Sequence, residues 1–326
     1  MAGARKALVV GIDQYGPGNE LTCCVNDAEA ISSLLSRNGD GSPNFSVKRA
    51  LNVGTKGQLK SLIAGCFSGD DEIALFYFAG HGFIDAIGGY IVTPDGSHND
   101  WGVSMEEMLS IINQSKCRNK IVLLDCCHAG FMGNISSINQ SMAVIKEGVT
   151  ILTASKSDES SLESDGHGVF TALLVAALEG GAADATGHIT PGGIYAYIDR
   201  ALGPWDQRPV FKTNVTRFTP LRTVKPQVSY EVLRRIIVYF PQLNSECALD
   251  PSYEPTNRST IEHSVVEPYA NEKNTAIFSD LQQLESVGLV VPLGEEHMYF
   301  AAMHSKACGL TPTGQHYWRL VKNNII

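Results

Sequence analysis

Two uninterrupted apolar runs, Ile73-Ala74-Leu75-Phe76-Tyr77-Phe78 and Ile121-Val122-Leu123-Leu124, constrain this chain more than any other feature. A strand that is apolar at every position must be covered on both faces, as the central strands of a parallel sheet are. The runs lie within residues 6–220, where short β-rich segments alternate with helical patterns. That alternation predicts an α/β fold, a mainly parallel sheet sandwiched by helices. Strands are expected at Lys6–Asp13, Ser46–Leu51, Glu72–Phe78, Lys120–Cys126 and Val149–Ala154. Helices are expected at Asn26–Arg37, Thr55–Phe67, Ser104–Ser115, Gly168–Leu178 and Pro191–Leu202, with Ser104 and Glu107 forming a capping box. Polar and glycine-rich loops are expected at Met132–Ser141 and Asp165–Gly168.

The alternation ends near Pro220, and Thr223–Pro226 reads as a linker, which divides the chain into domains at 1–220 and 221–326. In the second part, Tyr230–Phe240 is helical and Ala248–Asn257 irregular. Ile277, Leu281, Leu284 and Val287 are in helical register and Gly288 stops the helix. A strand at Leu289–Leu293 is expected to return through His297–Ala302 as a hairpin, before a last helix over Leu310–Val321. Helix, hairpin and helix in that order suggest a small winged-helix-like α+β domain.

Composition excludes several classes. Of 326 residues, 44% are hydrophobic and 18% charged, which is the balance of a globular protein and not of a disordered one. A formal charge of −9 disfavours a dedicated nucleic-acid binder. No stretch approaches the roughly 20 apolar residues of a membrane span. Ala7–Val10 is too short for a signal-peptide core, so a cytoplasmic protein is expected. The eight cysteines form neither a CxxC pair nor a Cys/His metal spacing, so no structural zinc is expected.

The chemistry concentrates at the carboxyl ends of the two apolar strands. Tyr77-Phe78-Ala79-Gly80-His81-Gly82 ends one, and Leu123-Leu124-Asp125-Cys126-Cys127-His128-Ala129-Gly130 ends the other. Ligands of open α/β sheets bind outside those ends. Neighbouring strands would therefore deliver His81 and Cys127 to one cleft. A thiolate is a nucleophile, and an imidazole can take its proton and return it to a departing amine. Backbone N–H groups of Gly82 and Cys127 are candidate donors to an oxyanion.

These segments resemble the caspase-like cysteine peptidases, nearest to metacaspases and their prokaryotic relatives. The family's Gly-His-Gly turn is matched by Gly80-His81-Gly82, and its Asp-x-Cys-His-Ser-Gly by Asp125–Gly130 with Ala129 in place of serine. Cys127 follows His81 by 46 residues, close to the roughly 50 of caspases. Val10-Gly11-Ile12-Asp13, Cys24-Val25-Asn26-Asp27-Ala28, Gly168-Val169-Phe170-Thr171 and Gln207-Arg208-Pro209 extend the resemblance over residues 6–220.

The resemblance implies a peptidase in which Asp27 and Asp125 line the first specificity pocket, so that protein or peptide substrates are cut after Arg or Lys. Two carboxylates favour a cation and repel an aspartyl side chain. Asp158, with Glu159, is a further pocket candidate; the plain alternative for Asp27 is a helix cap. No cofactor is required by the sequence, and calcium enters only through the resemblance. Asp95 and Asp100 lie in its region, but Met105-Glu106-Glu107 replace the paired aspartates and Asn134 follows the nucleophile loop. Lys146 is a basic site where family members are cut between the halves of the domain. The C-terminal part could hold the enzyme inactive or bind a protein partner, and Asp280 and Glu285 on its Ile277–Val287 helix disfavour DNA. The rival of another class is a caspase-fold scaffold or transcriptional regulator working through that C-terminal domain.

Overall fold

The computed structural model of the chain describes residues 3–84, 88–98, 100–126, 145–154, 163–164, 167–202, 209–258 and 265–326. It divides into two compact units, Met1–Lys225 and Pro226–Ile326. The first begins β1 (Arg5–Gly11), α1 (Cys24–Ser36), β2 (Ser46–Leu51), α2 (Lys56–Cys66) and β3 (Ile73–Ala79). It continues through β4 (Gly82–Ile84), β5 (Gly89–Ser97), β6 (Asp100–Ser104), α3 (Met105–Gln114), β7 (Asn119–Asp125) and β8 (Val149–Thr153). After β9 (Glu163–Ser164) and β10 (His167–Gly168) come α4 (Val169–Ala176), β11 (His188–Ile189), α5 (Pro191–Ala201), β12 (Val210–Asn214) and β13 (Arg222–Thr223).

One six-stranded sheet, in the order β12-β8-β7-β3-β1-β2, carries the unit. Every neighbouring pair is parallel except β12 with β8. The mainly parallel sheet is the one that the apolar runs require, and β3 and β7 lie side by side at its centre. Side chains alternate across it. Leu8, Val10, Phe76, Phe78, Val122 and Leu124 face one layer with α2 and α3. Ala7, Val9, Leu75, Tyr77, Ile121 and Leu123 face the other, with α1, α4 and α5. All seven residues of β3 are buried, so this strand has no solvent face at all.

Two features escaped the pattern analysis. The antiparallel β4–β5–β6 sheet follows directly on His81, and Pro94, Gly96 and an irregular register between Val92 and Ser97 break its alternation. The edge strand β12 is half exposed and ends in Lys212-Thr213-Asn214, so it lacks an apolar signature. The units divide inside the expected linker Thr223–Pro226, beyond the domain boundary expected at 220/221. Arg222 and Thr223 pair with Ile189 and His188, and Leu221 is fully buried, which keeps the chain in the first unit up to Lys225.

The second unit comprises α6 (Tyr230–Tyr239), β14 (Cys247–Ala248), α7 (Glu272–Ser286), β15 (Val290–Leu293), α8 (Met298–Met303), β16 (Ala307–Leu310) and α9 (Pro312–Lys322). It has its own core, with Leu233, Ile236, Phe240, Phe278, Leu281 and Leu284 at its centre. Here the hairpin is corrected. The partner of β15 is β16, with Val290 opposite Leu310, and His297–Ala302 is not the returning strand. Met298, Ala301 and Ala302 are buried at helical spacing, so the residues between the strands fold as α8. Asp280 is turned inward, accepting from Arg235 at 2.6 and 3.0 Å and from the Tyr239 hydroxyl, and the helix includes Lys273. Among the described residues no helix is long and apolar enough to cross a membrane.

The capping box at α3 is present in full, the Ser104 side chain accepting from Glu107 N and the Glu107 carboxylate from Ser104 N. Replacing Ser104 by Ala is expected to cost about 1 kcal/mol of stability in denaturant unfolding, with the α/β fold unchanged by circular dichroism.

Candidate active site

The site is set by how β3 and β7 end. Their parallel register pairs Ala79 with Asp125, and the Gly80 N–H donates to the Asp125 carbonyl at 3.3 Å. His81 stands two residues beyond Ala79, and Cys127 two beyond Asp125. Cys126 is buried in the layer formed with α2 and α3. Cys127 itself, His128–Gly130, the Met132–Ser141 segment, Asn134, Asp158, Glu159, Asp165 and the Gln207-Arg208 pair lie outside the described residues.

His81 is held by the loop that follows β1. Its backbone N–H donates to the Tyr15 hydroxyl at 2.9 Å, and the Tyr15 ring packs on the imidazole with centroids 4.5 Å apart. Its Nε2 is 2.8 Å from the Asn19 carbonyl. A carbonyl only accepts, so Nε2 carries the proton and Nδ1 is the acceptor nitrogen of the neutral ring. The loop is anchored in turn, because Asp13 and Gln14 donate their N–H groups to Asn52 Oδ1. Gly80 must be glycine here, since a Cβ would lie 2.6 Å from the Tyr15 hydroxyl and from the Phe78 ring. The His81 carbonyl accepts from Val92 N directly across the ladder. Hydrogen-bonded and non-hydrogen-bonded pairs alternate in an antiparallel ladder. The Gly82 N–H therefore points away from β5.

A second cluster gathers the two acids. Asp27 and Asp125 are both buried, and a Cβ on Gly168 would lie 2.7 Å from Asp125 Oδ2 and 3.5 Å from Asp27 Oδ2. A side chain there would crowd the Asp125 carboxylate and touch that of Asp27. Asp125 Oδ2 accepts from Thr171 N at 3.1 Å and from Thr171 Oγ1 at 2.6 Å, and the Thr171 hydroxyl accepts from the Tyr77 hydroxyl at 2.6 Å. Asp27 accepts from His167 Nδ1 at 2.6 Å and from Gly168 N at 3.3 Å. The N-terminus of α4, whose N–H groups and dipole favour negative charge, thus faces both acids. Burial raises both carboxyl pKa values. For Asp27 the Asp125 charge adds to it while the His167 and Gly168 bonds oppose it, and the result is about 6. For Asp125 burial outweighs the two Thr171 bonds.

Asp27 is not the cap of α1. The helix starts at Cys24, one turn earlier than a cap at Asp27 requires, and Asp13 caps it from the preceding loop by accepting from Cys24 N and Val25 N. Nothing local in the sequence points from Asp13 to that helix. Nor does it reveal Asn19, which acts through its carbonyl, or Thr171 and His167, which are some 140 residues from Asp27 in the case of the histidine. His167 did have a visible signal, its place immediately before Gly168-Val169-Phe170-Thr171.

The acids considered for calcium hold lysines. Asp95 accepts from Lys56 N and Thr93, Asp100 pairs with Lys56 Nζ at 2.8 Å, and Glu107 pairs with Lys60 at 2.8 Å and Lys56 at 3.6 Å. Among the described residues no three His, Cys, Asp or Glu side chains gather as a metal site. Among the described residues, Asp95, Asp100 and Glu107 do not assemble the six or more oxygens that a hard cation wants. Lys146 is exposed, in the turn before β8.

Known proteins resemble the first unit. The family model described as Caspase domain matches residues 4–214. The structure of protein GSU0716 from Geobacter sulfurreducens is similar with a TM-score of 0.50 and 16% identity, covering 68% of this chain and all of that one. Caspase-1 from Spodoptera frugiperda aligns with a TM-score of 0.49 and 13% identity over 69% of this chain and 92% of its own. None of the curated proteins compared matches the chain in sequence.

The raised Asp27 pKa has a stability consequence. An unfolded aspartate titrates near ~4, so between there and about 6 the folded chain binds the additional proton. Stability is therefore expected to fall as pH rises through that window. Unfolding midpoints in urea should show a shallower decline across it for Asp27→Asn than for the wild-type protein.

Proposed function

This chain belongs to the caspase domain family, and from that premise we propose that it is a cysteine endopeptidase that cuts protein chains after Arg or Lys. Cys127 is the nucleophile and His81 its acid–base partner. The observation that carries the assignment is the pairing of Ala79 with Asp125, because His81 and Cys127 each follow that pair by two residues on adjacent parallel strands.

The chemistry runs as follows from these groups. With the Nε2 proton engaged by Asn19, Nδ1 of His81 takes the Cys127 thiol proton, and the thiolate attacks the scissile carbonyl carbon to form a C–S bond. The oxyanion is held by the Gly82 and Cys127 N–H groups. As the C–N bond breaks, the imidazolium gives its proton to the leaving amine. Water then attacks the thioester with His81 as base, releasing the new carboxyl terminus and the thiol. The basic P1 side chain is received by Asp27 and Asp125, and Asp158 adds to that pocket. A cation between the two carboxylates compensates the burial that disfavours their ionised forms. Lys146 is the proposed self-cleavage site, and the C-terminal unit is the proposed regulatory or partner-binding part of a cytoplasmic enzyme.

Fluorogenic peptides ending in Arg, Lys or Asp test this directly. Arg and Lys peptides should be cleaved and the Asp peptide spared. Cys127→Ala should abolish turnover, and His81→Ala should lower kcat by about 10²–10⁴-fold. Turnover surviving in Cys127→Ala, or preference for the Asp peptide, would sink the assignment. Asp27→Asn and Asp125→Asn should each raise KM for the Arg peptide.

A further inference from the structure

The two pocket acids are not held alike. Asp125 is fixed by the start of α4, with both donors of Thr171 on one oxygen and the Tyr77 hydroxyl behind them. Asp27 sits inside α1, and among the described residues its one short bond comes from a side chain outside that helix, His167 at 2.6 Å; the Gly168 N–H is 3.3 Å away. The exposures also differ. The Asp27 side chain is 2% exposed while that of His167 is 31% exposed, so the imidazole stands between the acid and solvent. A carboxylate only accepts, hence His167 Nδ1 is the donor in either charge state of the ring.

These facts leave the Asp27 orientation dependent on one ring. Without it, the carboxylate keeps, among the described residues, a single long N–H bond and faces the like charge of Asp125 beside Gly168. It would then be free to turn from the position in which the two acids converge on a cation. We propose that His167 is a positioning residue for recognition of the basic P1 side chain, holding Asp27 beside Asp125; this rests on the basic-P1 reading given above. His167 acts on binding of the guanidinium or ammonium group and not on the bond-breaking steps, because its partner is the pocket acid and not His81.

Two variants separate positioning from bulk. His167→Ala removes the donor, whereas His167→Asn keeps an N–H donor near the position of Nδ1. On the Arg peptide, His167→Ala should raise KM by about 10-fold or more, as loss of a hydrogen bond to a charged group does, with the effect concentrated in KM and not kcat. His167→Asn should recover most of it. The pocket is read independently of turnover by benzamidine, an amidinium, titrated calorimetrically into the Cys127→Ala protein with and without the His167 changes. The same order of affinities is expected, at unchanged thermal midpoints. Equal benzamidine affinity in all three proteins, no benzamidine binding at all, or a loss that Asn does not recover overturns the role of His167. Benzamidine binding that depends on His167 in a protein that cleaves no peptide would uphold it and defeat the peptidase assignment instead.

Discussion

The parallel pairing of β3 with β7 is the constraint on which the rest of the first unit depends. Seven register pairs, from Ile73 with Asn119 to Ala79 with Asp125, join two strands buried on both faces. A shift of one residue would turn every side chain to the opposite layer, sending Tyr77 away from Thr171 and Asp125 away from α4. The same pairing decides which residues leave the sheet together. Gly80 still bonds to Asp125, one residue past the last register pair. His81 and Cys127, the proposed acid–base group and nucleophile, each follow the last register pair by two residues.

Around this frame the loop after β1 links two things that are remote in sequence. Asp13 caps α1, the helix that carries Asp27, while Tyr15 and Asn19 hold His81. The histidine and the pocket acid are thereby oriented by a single segment, anchored on Asn52. A change in that loop would disturb both, which couples the orientation of the proposed acid–base group to that of the proposed specificity pocket.

The pocket acids illustrate an unfavourable local arrangement that the fold tolerates. Two carboxylates are buried at one glycine, and burial raises the pKa of each. The N-terminus of α4, the Tyr77–Thr171 chain and His167 offset part of that cost. What remains uncompensated is the feature on which the proposed recognition of a cationic side chain rests, since a group satisfied internally would gain little from a ligand.

Periodicity and residue type by themselves determined the parallel core of residues 6–220, though not the β4–β5–β6 sheet or the edge strand β12. Apolar runs such as Ile73–Phe78 leave no alternative to a strand covered on both faces, and the positions of His81, Cys127, Asp27 and Asp125 follow from motifs a few residues long. Local patterns of that kind are set by backbone sterics and solvent exclusion, which act over one or two turns. The tertiary structure alone decided which distant groups meet. His167 on Asp27, Thr171 on Asp125, the Asn19 carbonyl on His81 and Asp13 at the start of α1 are contacts between elements brought together by the sheet. No spacing encodes them. The same holds for α8, where Met298, Ala301 and Ala302 turned into the core make a helix of residues that a hairpin pattern assigned to a strand. Secondary structure yielded there to packing, because burying three apolar side chains on one face outweighs the weak strand preference of six residues.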